Sequence, residues 1–339
     1  MEIPSPAGLK KQQPLSKSAL SFIANSRARA SQILLGKSKT LVAIVGPCSI
    51  HDPESALDYA ERLKKLSADL GENLFLIMRV FVEKSRTHLG WKGMLYDPYL
   101  DGSNDVAAGL RKSRRLFIEL AEMGVPTAME LFDPLAASYF DDLLTWGLIG
   151  ARTAGSPYHR QMASGMPFPV GFKNDMHGYL EEAVLGVSTA RVPHVHFGLS
   201  SEGKVAAIET AGNPLSHLVL RGSLNEPNFD ALSVNRALLA LEKEQIFSRI
   251  VIDCSHGNSR KDPRRQSIAL ESLLEQSSPM VAGFMLESYI QPGKQTLFKD
   301  LSLLDYGVSI TDPCLSWEET EKLLQGAFVR SMSMSSVQN

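Results

Sequence analysis

Residues 194–210 read HVHFGLSSEGKVAAIET, two strand-like runs split by the turn-like SSEGK. How these runs are counted decides the fold. Elsewhere, short apolar stretches rich in β-branched residues alternate with longer helical patterns. The stretches are 41–46 LVAIVG, 75–80 FLIMRV, 127–131 TAMEL, 148–152 LIGAR, 169–173 PVGFK, 217–221 HLVLR, 250–254 IVIDC and 281–287 VAGFMLE. Between them lie segments such as 54–70 ESALDYAERLKKLSADL and 107–123 AAGLRKSRRLFIELAEM. Apolar strands alternating with helices predict a parallel sheet covered by those helices. Eight such units predict a closed (β/α)8 TIM barrel. Counting 194–210 as barrel strands gives nine or ten, and an open α/β sheet is then the alternative. Reading that stretch as an inserted β-hairpin near strand six restores eight.

The rest of the chain falls around that barrel. Residues 1–39 form an N-terminal extension with a polar, proline-bearing, mobile start. It carries one helix over 16–36, SKSALSFIANSRARASQILLG, expected outside the main body. Residues 40–330 are the catalytic barrel, and 331–339, SMSMSSVQN, a flexible C-terminal tail.

With 339 residues, 44% hydrophobic and 21% charged, the chain has ample material for a core. A formal net charge of −2 gives no global sign of nucleic-acid or membrane binding. No apolar run reaches the ~20 residues of a membrane span. The opening MEIPSPAGLKKQQPLSKSAL lacks the apolar core of a secretion signal. Three cysteines, Cys48, Cys254 and Cys314, suit a reducing compartment better than a disulfide framework, which points to the cytoplasm.

In such barrels the chemistry sits at the C-terminal ends of the strands. At or just past each expected end stand Cys48, Arg79, Glu130, Arg152, Lys173, Arg221, His256 and Glu287. Every one can bind a metal, an anion or a proton. Arg79, Arg152, Lys173 and Arg221 are cationic, and the loop EKSRTHLGWKG adds Lys84, Arg86 and Thr87. Cations converging on one mouth call for anions, two phosphates or a phosphate and a carboxylate, since each arginine can grip one by paired hydrogen bonds. Local salt bridges are the plain alternative. Cys48, His256, Glu287 and Asp312 offer a thiolate, an imidazole and two carboxylates, a set suited to Mn, Fe, Co or Zn. Two other readings stay open: a Cys48 nucleophile paired with His256, and a Schiff-base Lys173.

The motifs GPCSIHDP, RVFVEKSRT, GWKG, GARTAGSPYHRQMASG, PVGFKN, RGSLNEPN, IDCSHGNS, GFMLESYI and SITDPCLSWE occur in this order. Together they resemble type I 3-deoxy-D-arabino-heptulosonate 7-phosphate (DAHP) synthase over about residues 17–328. The resemblance implies a (β/α)8 barrel with an N-terminal extension and an extra hairpin. It implies condensation of phosphoenolpyruvate with erythrose 4-phosphate, opening the shikimate pathway. It implies one divalent metal, manganese first with Fe, Co and Zn behind, on Cys48, His256, Glu287 and Asp312. Phosphoenolpyruvate would meet Arg79, Lys84, Arg152, Lys173 and Arg221. Erythrose 4-phosphate would meet Lys84, Arg86 and Thr87, with Asp312 near its hydroxyls. Lys84 would be the acid and Glu130 would assist a water. The resemblance further implies a homodimer or homotetramer and an aromatic amino acid effector near 162–167 and the N-terminal extension. KSRT in place of KPRT (Ser85), KNDMHG in place of KNGTDG (Asp175, Met176, His177) and RGS in place of RGG (Ser223) depart from the family pattern. They keep two alternatives in play, a sibling synthase using another phosphosugar and a non-catalytic regulatory paralogue.

Overall fold

The computed structural model describes residues 3–85 and 90–336. After two helices, α1 (Pro6–Gln12) and α2 (Lys17–Leu34), the chain alternates β1 (Leu41–Gly46), α3 (Pro53–Leu70), β2 (Leu74–Arg79), α4 (Val106–Glu122) and β3 (Thr127–Glu130). A single 3-10 turn at Ala136–Tyr139 replaces a helix before β4 (Trp146–Ile149). Then come α5 (Pro157–Ser164), β5 (Val170–Lys173), α6 (Glu181–Ala190), β6 (His194–Leu199), β7 (Val205–Thr210) and β8 (His217–Leu220). The chain ends with α7 (Ala231–Lys243), β9 (Ile250–Asp253), α8 (Gln266–Gln276), β10 (Val281–Glu287) and α9 (Trp317–Ser336).

Eight strands close a parallel barrel in the order β1-β10-β9-β8-β5-β4-β3-β2. Every residue of these eight strands is buried, which is why they read as unbroken apolar runs. β6 and β7 pair antiparallel with each other, outside the barrel, while β5 pairs directly with β8. The stretch 194–210 is therefore the inserted hairpin, and the open sheet is excluded. Its burial alternates along β7 and over the first five residues of β6, as one covered face demands. Thr210 Oγ1 ties it down, 2.8 Å from Ser164 Oγ of α5.

Four expectations need correction. The sequence predicts β4 over 148–152, but it spans Trp146–Ile149, because the chain turns at Gly150, whose carbonyl accepts from Thr153 N (3.0 Å) and Ala154 N (3.1 Å). Arg152 thus stands in the turn beyond the strand. The extension holds two helices rather than one. The first, α1, is capped by Ser5 Oγ on Gly8 N (3.1 Å), and its Ala7 N donates to Ser201 O in the hairpin turn (2.8 Å). The helix α2 is not outside the body. Its Ala30, Ile33 and Leu34 pack with Val42, Ile44, Phe75, Ile77, Trp146 and Val251 inside the barrel, plugging its floor. Arg249 fastens it there, donating to Ile33 O and Val281 O, each at 2.8 Å. At the other end, α9 continues through Ser336, six residues into the stretch read as a free tail. No helix among the described residues is long and apolar enough to cross a membrane.

Candidate active site

β1 ends at Gly46, and the next residues turn into α3, whose first turn is held by Asp52 accepting from Glu54 N and Ser55 N at 3.1 Å each, with Pro53 at N1. This turn sets Cys48, fully buried, over the C-terminal mouth of the barrel. Its Sγ accepts from Lys84 Nζ (3.2 Å) and Asp312 N (3.4 Å). The thiol is pushed up in pKa, first by burial and then by the Glu287 carboxylate.

Glu287 closes β10. Gln266 fixes its backbone from both sides, accepting from Glu287 N (2.8 Å) and donating to Glu287 O (2.9 Å). The Glu287 carboxylate meets Arg79 Nη2 at 3.0 Å. Asp312 lies across from it. Burial would raise the Asp312 pKa, but Lys84, His256, Lys261 and Lys294 outweigh that and hold it below the ordinary carboxylate range. One donor atom each of Cys48, Glu287 and Asp312 lies within 4.8 Å of the others. Ligands on one zinc-like ion at ~2.0–2.3 Å lie no more than about 4.6 Å apart, so this trio fits a transition metal with little adjustment.

His256 is not part of that tight trio, but its Nε2 stands 3.6 Å from Glu287 Oε1, on the rim of the same group. Its Nδ1 is hydrogen-bonded to Ser255 Oγ at 2.7 Å, which in turn donates to Asp253 Oδ1 (2.6 Å), and Asp253 Oδ2 stands 2.9 Å from Nδ1. A carboxylate on Nδ1 places the proton there and leaves the Nε2 lone pair open, the usual arrangement behind a metal-binding imidazole. His256 adopts φ +54°, an uncommon conformation for a non-glycine residue, and one that fits a functional position.

Asp253, fully buried at the end of β9, also receives Lys173 Nζ at 2.7 Å. Burial alone would raise its pKa, yet His256 and Lys173 hold it well below the usual value. Arg221 is nearly buried at the end of β8, with Asn174 Oδ1 accepting from its backbone N at 2.8 Å. Its pKa is lowered by burial, then raised by Asp253 and lowered by Arg152, so the two arginines feel each other across the mouth. Arg152 Nη1 donates to Ser85 Oγ at 3.3 Å. Burial disfavours the Lys84 charge, but Cys48, Glu130, Glu287 and Asp312 together raise its pKa. Glu130, at the end of β3, packs against Gly150, where a Cβ would come within 2.3 Å of its Oε1.

The structure thus gathers Cys48, Arg79, Lys84, Glu130, Arg152, Lys173, Arg221, His256, Glu287 and Asp312 at one mouth. Arg86 and Thr87 lie outside the described residues. Sequence reasoning missed Asp253 and Gln266. Asp253 carries a signal, an acid ending the run IVID, which the apolar Cys254 after it disguises. Gln266, ten residues past His256 at the start of α8, had none. Arg79 and Lys173 are also less free than expected, each already paired with a buried carboxylate.

Donor atoms able to hold a metal beside converging cations, at the barrel end where such folds carry their chemistry, define a (β/α)8 enzyme acting on anionic substrates. Comparison with known proteins gives the family. Residues 13–325 match the model of the DAHP synthetase I family. The chain is 45% identical over 324 residues to the Tyr-sensitive phospho-2-dehydro-3-deoxyheptonate aldolase of Salmonella typhimurium, covering 95% of this chain and 91% of that one. It is 41% identical over 323 residues to the Trp-sensitive enzyme of Enterobacter agglomerans, covering 94% and 92%. A solved phospho-2-dehydro-3-deoxyheptonate aldolase from Francisella tularensis superposes with a TM-score of 0.95 at 38% identity, covering 98% and 97%. The chain belongs to the DAHP synthetase I family.

Proposed function

We propose that the chain condenses phosphoenolpyruvate with D-erythrose 4-phosphate and water, releasing phosphate and DAHP, the first step of the shikimate pathway, and that it does so in the cytoplasm with a bound divalent metal. The observation that carries this reading is the meeting of the Cys48–Glu287–Asp312 donors with Lys84, Arg152, Lys173 and Arg221 at one mouth.

In this reading Cys48, His256, Glu287 and Asp312 hold the metal, manganese first, with Fe, Co and Zn as the other candidates. When bound it supplies Lewis acidity toward the aldehyde. The thiolate and imidazole favour such a metal over Mg²⁺ or Ca²⁺. Arg152, Lys173 and Arg221 bind phosphoenolpyruvate with Arg79 and Lys84, and the anion relieves the repulsion between Arg152 and Arg221. The ion pairs of Arg79 with Glu287 and of Lys173 with Asp253 suit a second task, keeping the donors in place while the anions arrive. Erythrose 4-phosphate meets Lys84, Arg86 and Thr87, with Asp312 at its hydroxyls. Lys84, held charged among four acidic groups, donates a proton to the oxygen that becomes an alcohol. Glu130 assists the water that adds at the phosphate-bearing carbon. Bringing two multiply charged anions together costs repulsion, and the preset cations offset it.

The test is phosphate release from phosphoenolpyruvate against a panel of aldose phosphates, before and after chelation. Turnover with erythrose 4-phosphate that chelation abolishes is expected. Turnover with another sugar alone would transfer the chain to a sibling synthase, and Ser85 on Arg152 is the contact that favours checking this.

Since relatives are named Tyr-sensitive and Trp-sensitive, an aromatic amino acid effector is part of the reading. A cavity of about 770 Å³ walled by Ile3, Pro4, Leu135, Tyr139 and Leu199, between the N-terminal extension and the hairpin, supports it. A homodimer or homotetramer is proposed as well, supported by the outward face of the hairpin, where Val195, Phe197 and Val205 are exposed.

A further inference from the structure

Lys84 and its neighbour Glu83 serve different surroundings. Lys84 reaches Cys48, donating to both its O (3.1 Å) and its Sγ (3.2 Å). Glu83 is fully buried away from the donors. Its Oε1 stands 3.4 Å from Tyr96 Oη, while Tyr96 Oη donates to Asp133 Oδ2 at 3.0 Å. Its Oε2 has no hydrogen-bond partner among the described residues, and Glu83 makes no ion pair there. Buried carboxyls without a counter-charge are costly, and their presence asks for a reason.

We propose that Glu83 is a positioning residue that sets where Lys84 stands at the mouth of the barrel. The proposal rests on the assignment of Lys84 as the acid. The backbone supplies one half of the mount. Lys84 N donates to Lys92 O (2.9 Å) and Leu95 N to Val82 O (3.1 Å), so the GWKG loop lies flat along 82–84. The approach is close enough to need glycine: Gly93 has φ +108°, and a Cβ there would come 2.2 Å from Val82 O. That clamp fixes the path of the segment beyond β2 but not its rotation about its axis. The Glu83 side chain, wedged against Tyr96, Asp133 and the 132–133 backbone, fixes the rotation and thereby the direction of Lys84.

The surroundings of the wedge favour its neutral form, since no cation among the described residues pairs with it. The groups facing Glu83 are Asp133 and Glu130 from β3 and the residues after it, and the Tyr96 hydroxyl from the β2–α4 connection. His159 of α5 sits behind them with Nε2 2.7 Å from Phe132 O, and burial lowers its pKa, so it brings no charge. Burial first, then Asp133 and Glu130, raise the Glu83 pKa well above the ordinary value. A protonated Glu83 can donate from one oxygen and tolerate its acidic neighbours. Ionised, it would add a buried negative charge beside Asp133 and Glu130, and the segment would twist to relieve it.

The experiment compares Glu83→Gln and Glu83→Ala with the full-length wild type, by kcat against pH and by amide hydrogen exchange of the segment around 82–92. Gln keeps the shape and the neutral state. It should hold kcat within about twofold across neutral pH. Ala removes the wedge, and a displacement of ~1 Å at a reacting group lowers kcat roughly ten- to a hundredfold. Exchange should speed up in the Ala variant and stay unchanged in the Gln variant. The Gln variant separates loss of the wedge from failure to fold. Wild-type activity tests the functional reading separately, and the exchange comparison stands without activity. Wild-type kcat in the Ala variant, a Gln variant as impaired as Ala, or equal exchange in all three would each overturn the proposal.

Discussion

Replacing Asp253 by Asn tests the part of the site that holds the Lys173 and His256 side chains in place. Asp253 is fully buried, and the Lys173 and His256 side chains on it are 6% and 19% exposed, so solvent screens these contacts little. Two unit charges 2.7 Å apart attract by about 6 kcal/mol at an effective dielectric of 20. Desolvation offsets part of that, and removing one partner of a buried pair typically costs ~3–5 kcal/mol. The total stability of a domain is about 5–15 kcal/mol, so the loss should show plainly in urea unfolding at neutral pH. The sign with pH follows from the depressed folded pKa of Asp253. Its stabilisation is present above its unfolded pKa, near 3.9, and is lost as pH falls through the lower folded pKa. The wild type and Asp253→Asn should therefore differ most near neutrality and converge in strong acid. An amide also no longer dictates the His256 tautomer, so metal affinity should fall about ten- to a hundredfold. A variant within ~0.5 kcal/mol of wild type at neutral pH, with unaltered metal affinity, would refute the reasoning, since ordinary surface changes fall in that range.

Cys48→Ser should weaken metal binding by more than the ~10–100-fold expected for altering an outer partner, measured by competition with a chromophoric chelator. Arg249→Ala removes the two buried bonds that fasten α2 under the barrel; it should lower stability by about 2–4 kcal/mol while kcat of the remaining folded enzyme holds. Phe197→Asp on the hairpin, where the ring is 83% exposed, should shift the sedimentation profile toward smaller species and leave an isolated subunit folded. An unchanged profile would remove the hairpin from the assembly reading.

The barrel was legible because its strands are buried on both faces, so the apolar runs announced themselves. The strand-end rule then converted position into chemistry, and Cys48, His256, Glu287 and Asp312 converge although they are far apart in sequence. What stayed hidden was decided by packing. Periodicity shows that α2 has a face to bury but not that the face fits the barrel floor. The seven residues of α1 are too few for a periodic signal, and the helix stands on a serine cap and contacts distant in sequence. The limit of β4 depends on a turn at Gly150 that its apolar neighbours disguise. Asp253 and Gln266 act through other residues, and such support leaves little trace in local pattern.

The direct pairing of β5 with β8 has a consequence for how chains of this kind can diverge. The wall of the barrel is complete without residues 194–210, so substitutions in that hairpin break no ladder bond of the catalytic framework. The segment touches α5 through Thr210 and Ser164, and the N-terminal extension through Ala7 and Ser201. Hairpin and extension can drift together, exchanging one set of contacts for another, while the residues around the mouth stay still. In the proposed reading, control and chemistry thereby stand on separate parts of one polypeptide, each open to selection on its own.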